Sequence, residues 1–264
     1  MTSFLEKIYS LTEERVAKAK AAVSAKDLEA RDLFHRTPHK VKPAFMRDDY
    51  NIIAEVKFAS PSEGNIHANG DPVKIAEGYL GAGARMLSVL TEPLYFKGEL
   101  AYLEAVRRVQ PEALLLRKDF MIDPYQLLEA RAYGADAILL IVAMTEPALT
   151  KDLFDQARTL GLTPLVEVHD DAELEQALAL KADFIGVNNR NLKTLKTDIE
   201  TSRRLISRKS KDTVFICESG LSTAEDLRSM RAIGYDGFLM GTTFMRQLDP
   251  GAALRSLRES LACV

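Results

Sequence analysis

The sequence is poor in the residues that most often build metal and redox sites. It has only two cysteines and four histidines among 264 residues. Cys217 and Cys263 carry no metal-site spacing, and the simple reading is reduced thiols in a cytoplasmic protein. His35 and His39 are four apart, but Pro38 lies between them and spoils a helical metal pair. His67 reads as a solvated loop residue and His169 mainly as strand-end packing, with a supporting role at the site as the alternative. No His/Cys/carboxylate cluster has metal spacing, and no Ser–His–Asp grouping stands out. No apolar run approaches the roughly 18 residues of a membrane span. The start, "MTSFLEKIYSLTEERVAKAK", is charged and periodic, unlike a signal peptide. With 35 basic against 38 acidic residues the net charge is −3, which argues against a general affinity for nucleic acid or acidic membranes. No G-x-G-x-x-G follows the first apolar run, and no Pro/Gly/Ser-rich linker divides the chain.

What is present is an alternation. Apolar residues make up 47% of the chain, enough for a sizeable core. After about residue 50, short runs rich in Ile, Val and Leu alternate with longer amphipathic ones. The short runs are "NIIAEVK" (51–57), "MLSVLTE" (86–92), "ALLLRKD" (113–119), "AILLIVA" (137–143), "TPLVEVH" (163–169), "FIGVNN" (184–189), "VFICES" (214–219) and "GFLMGT" (237–242). Between them, "DPVKIAEGYLGAGA" (71–84) and "DPYQLLEARAYGA" (123–135) open with Asp as N-cap and Pro at the first helical position. "TEPALTKDLFDQARTLG" (145–161) ends at a glycine, and Ser222 with Glu225 suggests a capping box for 222–234. Further helices fit near 99–109, 171–180, 198–208 and 249–260. Eight strand–helix units predict a parallel sheet covered on both faces, either an open doubly wound sheet or a (β/α)8 TIM barrel. Eight units in about 215 residues match the barrel. Residues 1–47 read as an N-terminal helical extension that covers the barrel's bottom or flanks its mouth, so 1–264 reads as one domain.

Side chains alternate along a strand, so Glu55 and Lys57 share a face with Ile53, and Lys118 and Phe120 share one with Leu116. Glu167 aligns with Leu165, Asn188 and Arg190 with Gly186, and Glu218 and Gly220 with Ile216. The polar members all lie toward the C-terminal ends, which converge on one mouth in a barrel, where such enzymes hold their active sites. A solvated strand end explains any one of them, but not five strands together, because withdrawing charges from water costs several kcal/mol each unless they are paired. Gly220 and Gly241 follow the seventh and eighth runs, where backbone N–H groups can approach an anion. With a basic mouth this suggests a phosphorylated small substrate.

The stretches "IIAEVKFASPSEGNI", "LSVLTEPLYFKG", "LLRKDFMIDPYQLLEARAYGADAILLIVA", "LVEVHDDAELEQAL", "IGVNNRNLKTLKTD" and "CESGLSTAEDL" resemble, in order, the signatures of the indole-3-glycerol phosphate synthase family. The resemblance runs from about residue 4 to 248. It implies a (β/α)8 barrel with an N-terminal helical extension. It also implies closure of the indole pyrrole ring from 1-(2-carboxyphenylamino)-1-deoxyribulose 5-phosphate, with loss of carbon dioxide and water and without metal or organic cofactor. By resemblance, Lys118 is the general acid and Glu167 the base. Lys57 binds the substrate carboxylate or serves as second acid, Glu55 orients a lysine, and Glu218 and Ser219 complete the polar shell. Asn188 and Arg190 bind substrate, Phe120, Leu139 and Ile141 pack on the anthranilate ring, and phosphate meets Ser60, Gly220, Gly241 and Thr242.

Two positions depart from the family pattern: Glu63 stands in "SPSEG" where lysine is common, and Thr242 where Ser or Glu is frequent. The nearest rival is a phosphoribosylanthranilate isomerase-like barrel, whose acid–base pair needs a cysteine; Cys217 alternates with Glu218 and should face outward. A catalytically silent scaffold barrel would have lost Lys118 or Glu167. The expected protein is a cytoplasmic monomer acting on a small phosphorylated molecule, with no nucleic-acid or membrane partner and at most transient contact with other tryptophan-pathway enzymes. The segment 58–70 is expected to form a lid with little to hold it when empty.

Overall fold

The computed structural model describes residues 4–47, 49–67, 70–192 and 194–263. Eight parallel strands close into a barrel: β1 (Asn51–Val56), β2 (Met86–Leu90), β3 (Leu115–Lys118), β4 (Ala137–Ile141), β5 (Thr163–Val168), β6 (Phe184–Asn188), β7 (Val214–Glu218) and β8 (Gly237–Met240). Neighbours in sequence are neighbours in the sheet, and β1 pairs with β8 from Asn51↔Gly237 to Ala54↔Met240, so no edge is left open. All six residues of β1 are buried, as strands covered on both faces require. Inward Ile53, Met86, Leu116, Leu165, Phe184, Ile216 and Leu239 fill the barrel, while outward residues such as Ile52, Leu87 and Phe215 pack under the helices.

Local sequence explains the helix starts. Asp71, Asp123 and Asp249 accept backbone N–H groups ahead of Pro72, Pro124 and Pro250, each such cap being worth about 1 kcal/mol. The helix Ala224–Ala232 starts one residue later than expected: its capping box joins Thr223 and Asp226, not Ser222 and Glu225. Both pairs satisfy the S/T-x-x-acid pattern, so spacing alone does not choose between them.

The N-terminal extension both flanks the mouth and covers the bottom. Its first helix, Phe4–Ala22, brings Phe4 to the mouth, and Arg15 pairs with Asp119 just after β3. The chain then descends the barrel wall through Arg31–Glu104 and Arg36–Asp136. At the bottom Phe45 meets Phe184 edge-on, with ring centroids 5.2 Å apart. No helix among the described residues is long and apolar enough to cross a membrane.

Candidate active site

The C-terminal strand ends open into a cavity of about 370 Å³. Every polar residue singled out by strand alternation lines it: Glu55, Lys57, Lys118, Glu167, Asn188, Arg190 and Glu218. Phe120, Leu139 and Ile141 form an apolar side, and Ser60, Ser219, Gly220, Gly241 and Thr242 surround the opposite rim. Among the described residues no group of three or more His, Cys, Asp or Glu side chains could hold a metal ion.

The charges interlock. Lys57 Nζ lies 2.7 Å from Oε1 of Glu55, two residues earlier on β1. Lys118 Nζ donates to Oε2 of Glu218 at 2.9 Å and to Oε2 of Glu167 at 3.4 Å, so one ammonium joins β3 to β5 and β7. Asn188 donates Nδ2–H to Oε1 of Glu167 at 3.1 Å. Two glycines make room for these carboxylates: a Cβ on Gly186 would sit 2.0 Å from Glu218 Oε1, and one on Gly241 would sit 2.6 Å from Glu55 Oε1.

Burial and partners pull the titrations apart. Burial disfavours the Lys118 ammonium, but Glu218, Glu167 and Glu55 outweigh it and hold the lysine above its ordinary range. Burial raises Glu167, yet Lys118, His169 and Asn188 bring it well below the usual carboxylate range. Glu55 is likewise held low, with burial overcome by Lys57 and Lys118. Glu218 goes the other way: burial, reinforced by the negative charge of Glu167, exceeds the pull of Lys118 and raises it to about 7. The site therefore contains a charged ammonium, a firmly ionised carboxylate and a carboxyl poised near neutrality.

β6 ends at Asn188, so Arg190 is a loop residue rather than part of the strand face. It reaches the cavity because its N–H is held by Asn188 Oδ1 at 2.9 Å and its guanidinium by the Leu195 carbonyl at 3.2 Å. Ser219 adopts φ 66°, a left-handed conformation costly for a residue with a Cβ, and Asn189 Nδ2 grips its carbonyl at 3.0 Å. Gly220 follows at φ 80°, so the chain turns sharply at the rim. Cys217 faces outward onto Ser202, and burial pushes its thiol up to about 11, which removes it as an acid–base group.

Some residues at the mouth escaped the sequence reading. Glu92 shares the alternating face of Ser88 and Leu90, so its place was legible; its carboxylate binds the backbone N–H groups of Leu94, Tyr95 and Phe96 and so shapes the loop after β2. Phe96 and Arg246 also line the cavity, but Phe96 comes from the loop after β2 and Arg246 caps the end of the short helix Thr242–Met245, where no periodic signal runs. His169 faces two glutamates, the arrangement its alternative reading as a supporting residue requires: Nδ1 is 2.9 Å from Glu173 Oε2 and Nε2 is 3.3 Å from Glu167 Oε1.

The segment expected to be loosely held is partly built. Ala59–Ser60 and Gly64–Asn65 pair as a short hairpin, Phe58 is buried, and Ala59 N–H bonds to the Phe96 carbonyl at 3.2 Å. At its tip Glu63 pairs with Arg246 of the segment after β8. Ala68 and Asn69 of this expected lid lie outside the described residues, as do Met1–Ser3, Asp48, Lys193 and Val264 of the expected single domain.

The profile of the family described as indole-3-glycerol phosphate synthase matches residues 5–257. Relatives of that name include one from Albidiferax ferrireducens, 42% identical over 97% of this chain and 98% of its own. One from Laribacter hongkongensis is 44% identical over 97% and 99%, and one from Magnetococcus marinus is 50% identical over 78% of each. Among solved structures, the 3-hexulose-6-phosphate synthase of Salmonella typhimurium superposes with a TM-score of 0.65 at 14% identity, covering 80% of this chain and 98% of that one. At that identity the likeness concerns the barrel alone.

Proposed function

The chain belongs to the indole-3-glycerol phosphate synthase family, and from that premise we propose how its barrel mouth divides the work. The activity is that of a decarboxylating lyase of tryptophan biosynthesis: it converts 1-(2-carboxyphenylamino)-1-deoxyribulose 5-phosphate to indole-3-glycerol phosphate, carbon dioxide and water. Ring closure needs a proton or cation at the sugar ketone, and Lys118 supplies it as general acid. Loss of the carboxylate restores aromaticity. Dehydration then needs an acid for the departing hydroxyl and a base for a ring or nitrogen proton, and Glu167 is that base. Lys57, set by Glu55, meets the substrate carboxylate and serves as the second acid. Asn188 and Arg190 hold polar groups of the substrate, and Glu218 with Ser219 completes the shell around Lys118. Phe120, Leu139 and Ile141 pack against the anthranilate ring, while Ser60, Gly220, Gly241 and Thr242 receive the phosphate at the rim typical of this fold.

The observation that carries this reading is the position of Lys118 Nζ, in reach of both Glu167 and Glu218 at the floor of the mouth. An acid and a base at such close quarters suit paired proton transfers on one bound molecule. The same reading takes residues 1–264 as one domain with 1–47 as its extension, working as a cytoplasmic monomer whose contacts with other tryptophan-pathway enzymes are transient. The decisive test is the appearance of indole fluorescence when purified protein meets the carboxyphenylamino-deoxyribulose phosphate. A folded protein that binds this compound without producing the signal would overturn the assignment of roles.

A further inference from the structure

His169 has no place in the division of labour above. It follows β5 directly and shares a face with Glu167, yet it does not line the cavity. Its side chain is only 10% exposed. Glu173, in the first turn of the helix Asp171–Ala179, accepts the His169 backbone N–H at 2.8 Å and faces Nδ1 at 2.9 Å with the same oxygen. That double contact fixes the ring and directs Nε2 at Oε1 of Glu167, 3.3 Å away, where Nε2 has no aligned hydrogen bond. Glu167 Oε1 also accepts from Asn188, and Oε2 faces Lys118.

Two carboxylates on opposite ring edges decide the protonation state. A carboxylate cannot donate a hydrogen bond, so Nδ1 must carry a proton to satisfy Glu173. A bare Nε2 lone pair against Glu167 Oε1 would be repulsive and would leave a buried acceptor unpaired. Both nitrogens protonated, the ring is an imidazolium, and its titration is accordingly raised to about 10, burial being outweighed by Glu167 and Glu173. Charges then alternate along one line: Glu173, His169, Glu167, Lys118, Glu218. The other acidic groups at the start of that helix are engaged elsewhere, Asp170 with the Glu173 N–H and Asp171 with Arg204.

We propose that His169 is a positioning residue for the reaction, an imidazolium aimed by Glu173 that holds Glu167 ionised and oriented into the cavity. The proposal rests on Glu167 acting as the base. It accounts for a feature that packing does not require, since an apolar side chain would fill the same space without two buried carboxylates around it. During turnover Lys118 must leave Glu167 and Glu218 to reach the substrate oxygen. His169 remains as the second cation that keeps Glu167 unprotonated until it takes the substrate proton.

The test is the pH dependence of kcat for wild type, His169→Asn, His169→Gln and Glu173→Gln, with KM and melting temperature recorded for each. Asn can keep the contact of Nδ1 with Glu173 but presents nothing to Glu167, whereas Gln can place an N–H near the Nε2 position. For His169→Asn the expected result is a fall in kcat of about tenfold, a KM within about twofold, and an acid limb moved about one pH unit upward, because Glu167 loses a cation and binds its proton more tightly. His169→Gln should recover part of kcat, and Glu173→Gln should move the limb in the same direction by less. A folded His169→Asn with unchanged kcat and an unmoved limb would reduce His169 to packing. Should that variant fail to fold, an unmoved limb in Glu173→Gln overturns the proposal by itself. Glu167→Gln, measured alongside, separates the two readings: if it keeps turnover, the base assignment fails. If it is inactive while the histidine variants are unaffected, only the positioning role fails.

Discussion

Nζ of Lys118 and Oε2 of Glu218, on strands four places apart around the barrel, are joined by a 2.9 Å hydrogen bond beneath the mouth. The bond keeps an ammonium in a buried site, and it also makes removal of the lysine tolerable to the fold. Glu218 already lies near 7 with Lys118 beside it, so without the lysine it takes up a proton and can donate to Glu167. Lys118→Ala is therefore expected to keep its circular dichroism and melting behaviour while turnover falls on the order of 10²–10⁴-fold or more. Near-normal turnover in this variant would remove Lys118 from the chemistry.

Glu167→Gln keeps the shape of the side chain and its place beside Asn188 but removes the carboxylate proposed as the base. A large loss in kcat with a modest change in KM is expected, the pattern of a group used in the transition state more than in binding. If only KM changed, Glu167 would be a binding group and the base would have to be sought in Glu55 or Glu218.

The raised titration of Glu218 has a consequence for stability. Its folded value, about 7, lies above that of an unfolded glutamate, so the protonated form favours folding. That contribution is complete below the unfolded carboxyl range, near 4.3, and is lost as pH rises through about 7. Glu218→Gln carries no such charge at any pH. Its melting temperature relative to wild type should be higher at pH 8 than at pH 5; a difference that stays flat across that range would contradict the assignment.

Asp119, next to Lys118, places its carboxylate in a buried cluster with Arg15, Arg117 and Thr91. Asp119→Asn removes the buried negative charge, leaving Arg117 with Glu129 as its remaining carboxylate and Arg15 with the Thr91 carbonyl. Urea denaturation at neutral pH should show a loss near the lower end of about 3–5 kcal/mol. Burial raises this carboxyl, but Arg15 and Arg117 outweigh it and hold it at about 2. Its contribution is present above the unfolded value, near 3.9, and disappears as pH falls from there toward 2.

What could be read in advance follows the physics of each segment. Glu55, Lys118, Glu167 and Glu218 sit on strands, where a strict two-residue period assigns every side chain to a face, and closure of the barrel brings those faces together. Glu92 obeys the same rule, two residues beyond Leu90 on the cavity face of β2. Arg190, Phe96 and Arg246 sit beyond strand ends, where direction depends on hydrogen bonds such as Arg190 N–H to Asn188. His169 shows the boundary: alternation placed it beside Glu167, but its second partner, Glu173, comes from the next helix and reaches back to it. The hairpin in the segment after β1 depends on a contact with Phe96, thirty-seven residues later, which no local pattern encodes.

That hairpin changes what should be expected of the lid. Its base is anchored by Phe58, packed edge-on against Tyr102 at 5.5 Å, and by the bond to Phe96, so motion should concentrate at the tip around Pro61–Glu63. The tip is tied to the rim by Glu63 and Arg246, a pair whose arginine is 58% exposed and which therefore contributes less than about 1 kcal/mol. So weak a tie can be exchanged for substrate contacts. Closure over a bound molecule would bring Ser60 to its phosphate and exclude water from the reacting ring. Hydrogen exchange across 58–67 should slow when a non-reactive substrate analogue saturates the site. Glu63→Lys, which installs the residue common in the family, places like charges together and should speed exchange at the tip in the empty protein without lowering the melting temperature measurably. Exchange that is the same with and without saturating analogue would defeat the lid while leaving Lys57 and its pairing with Glu55 untouched.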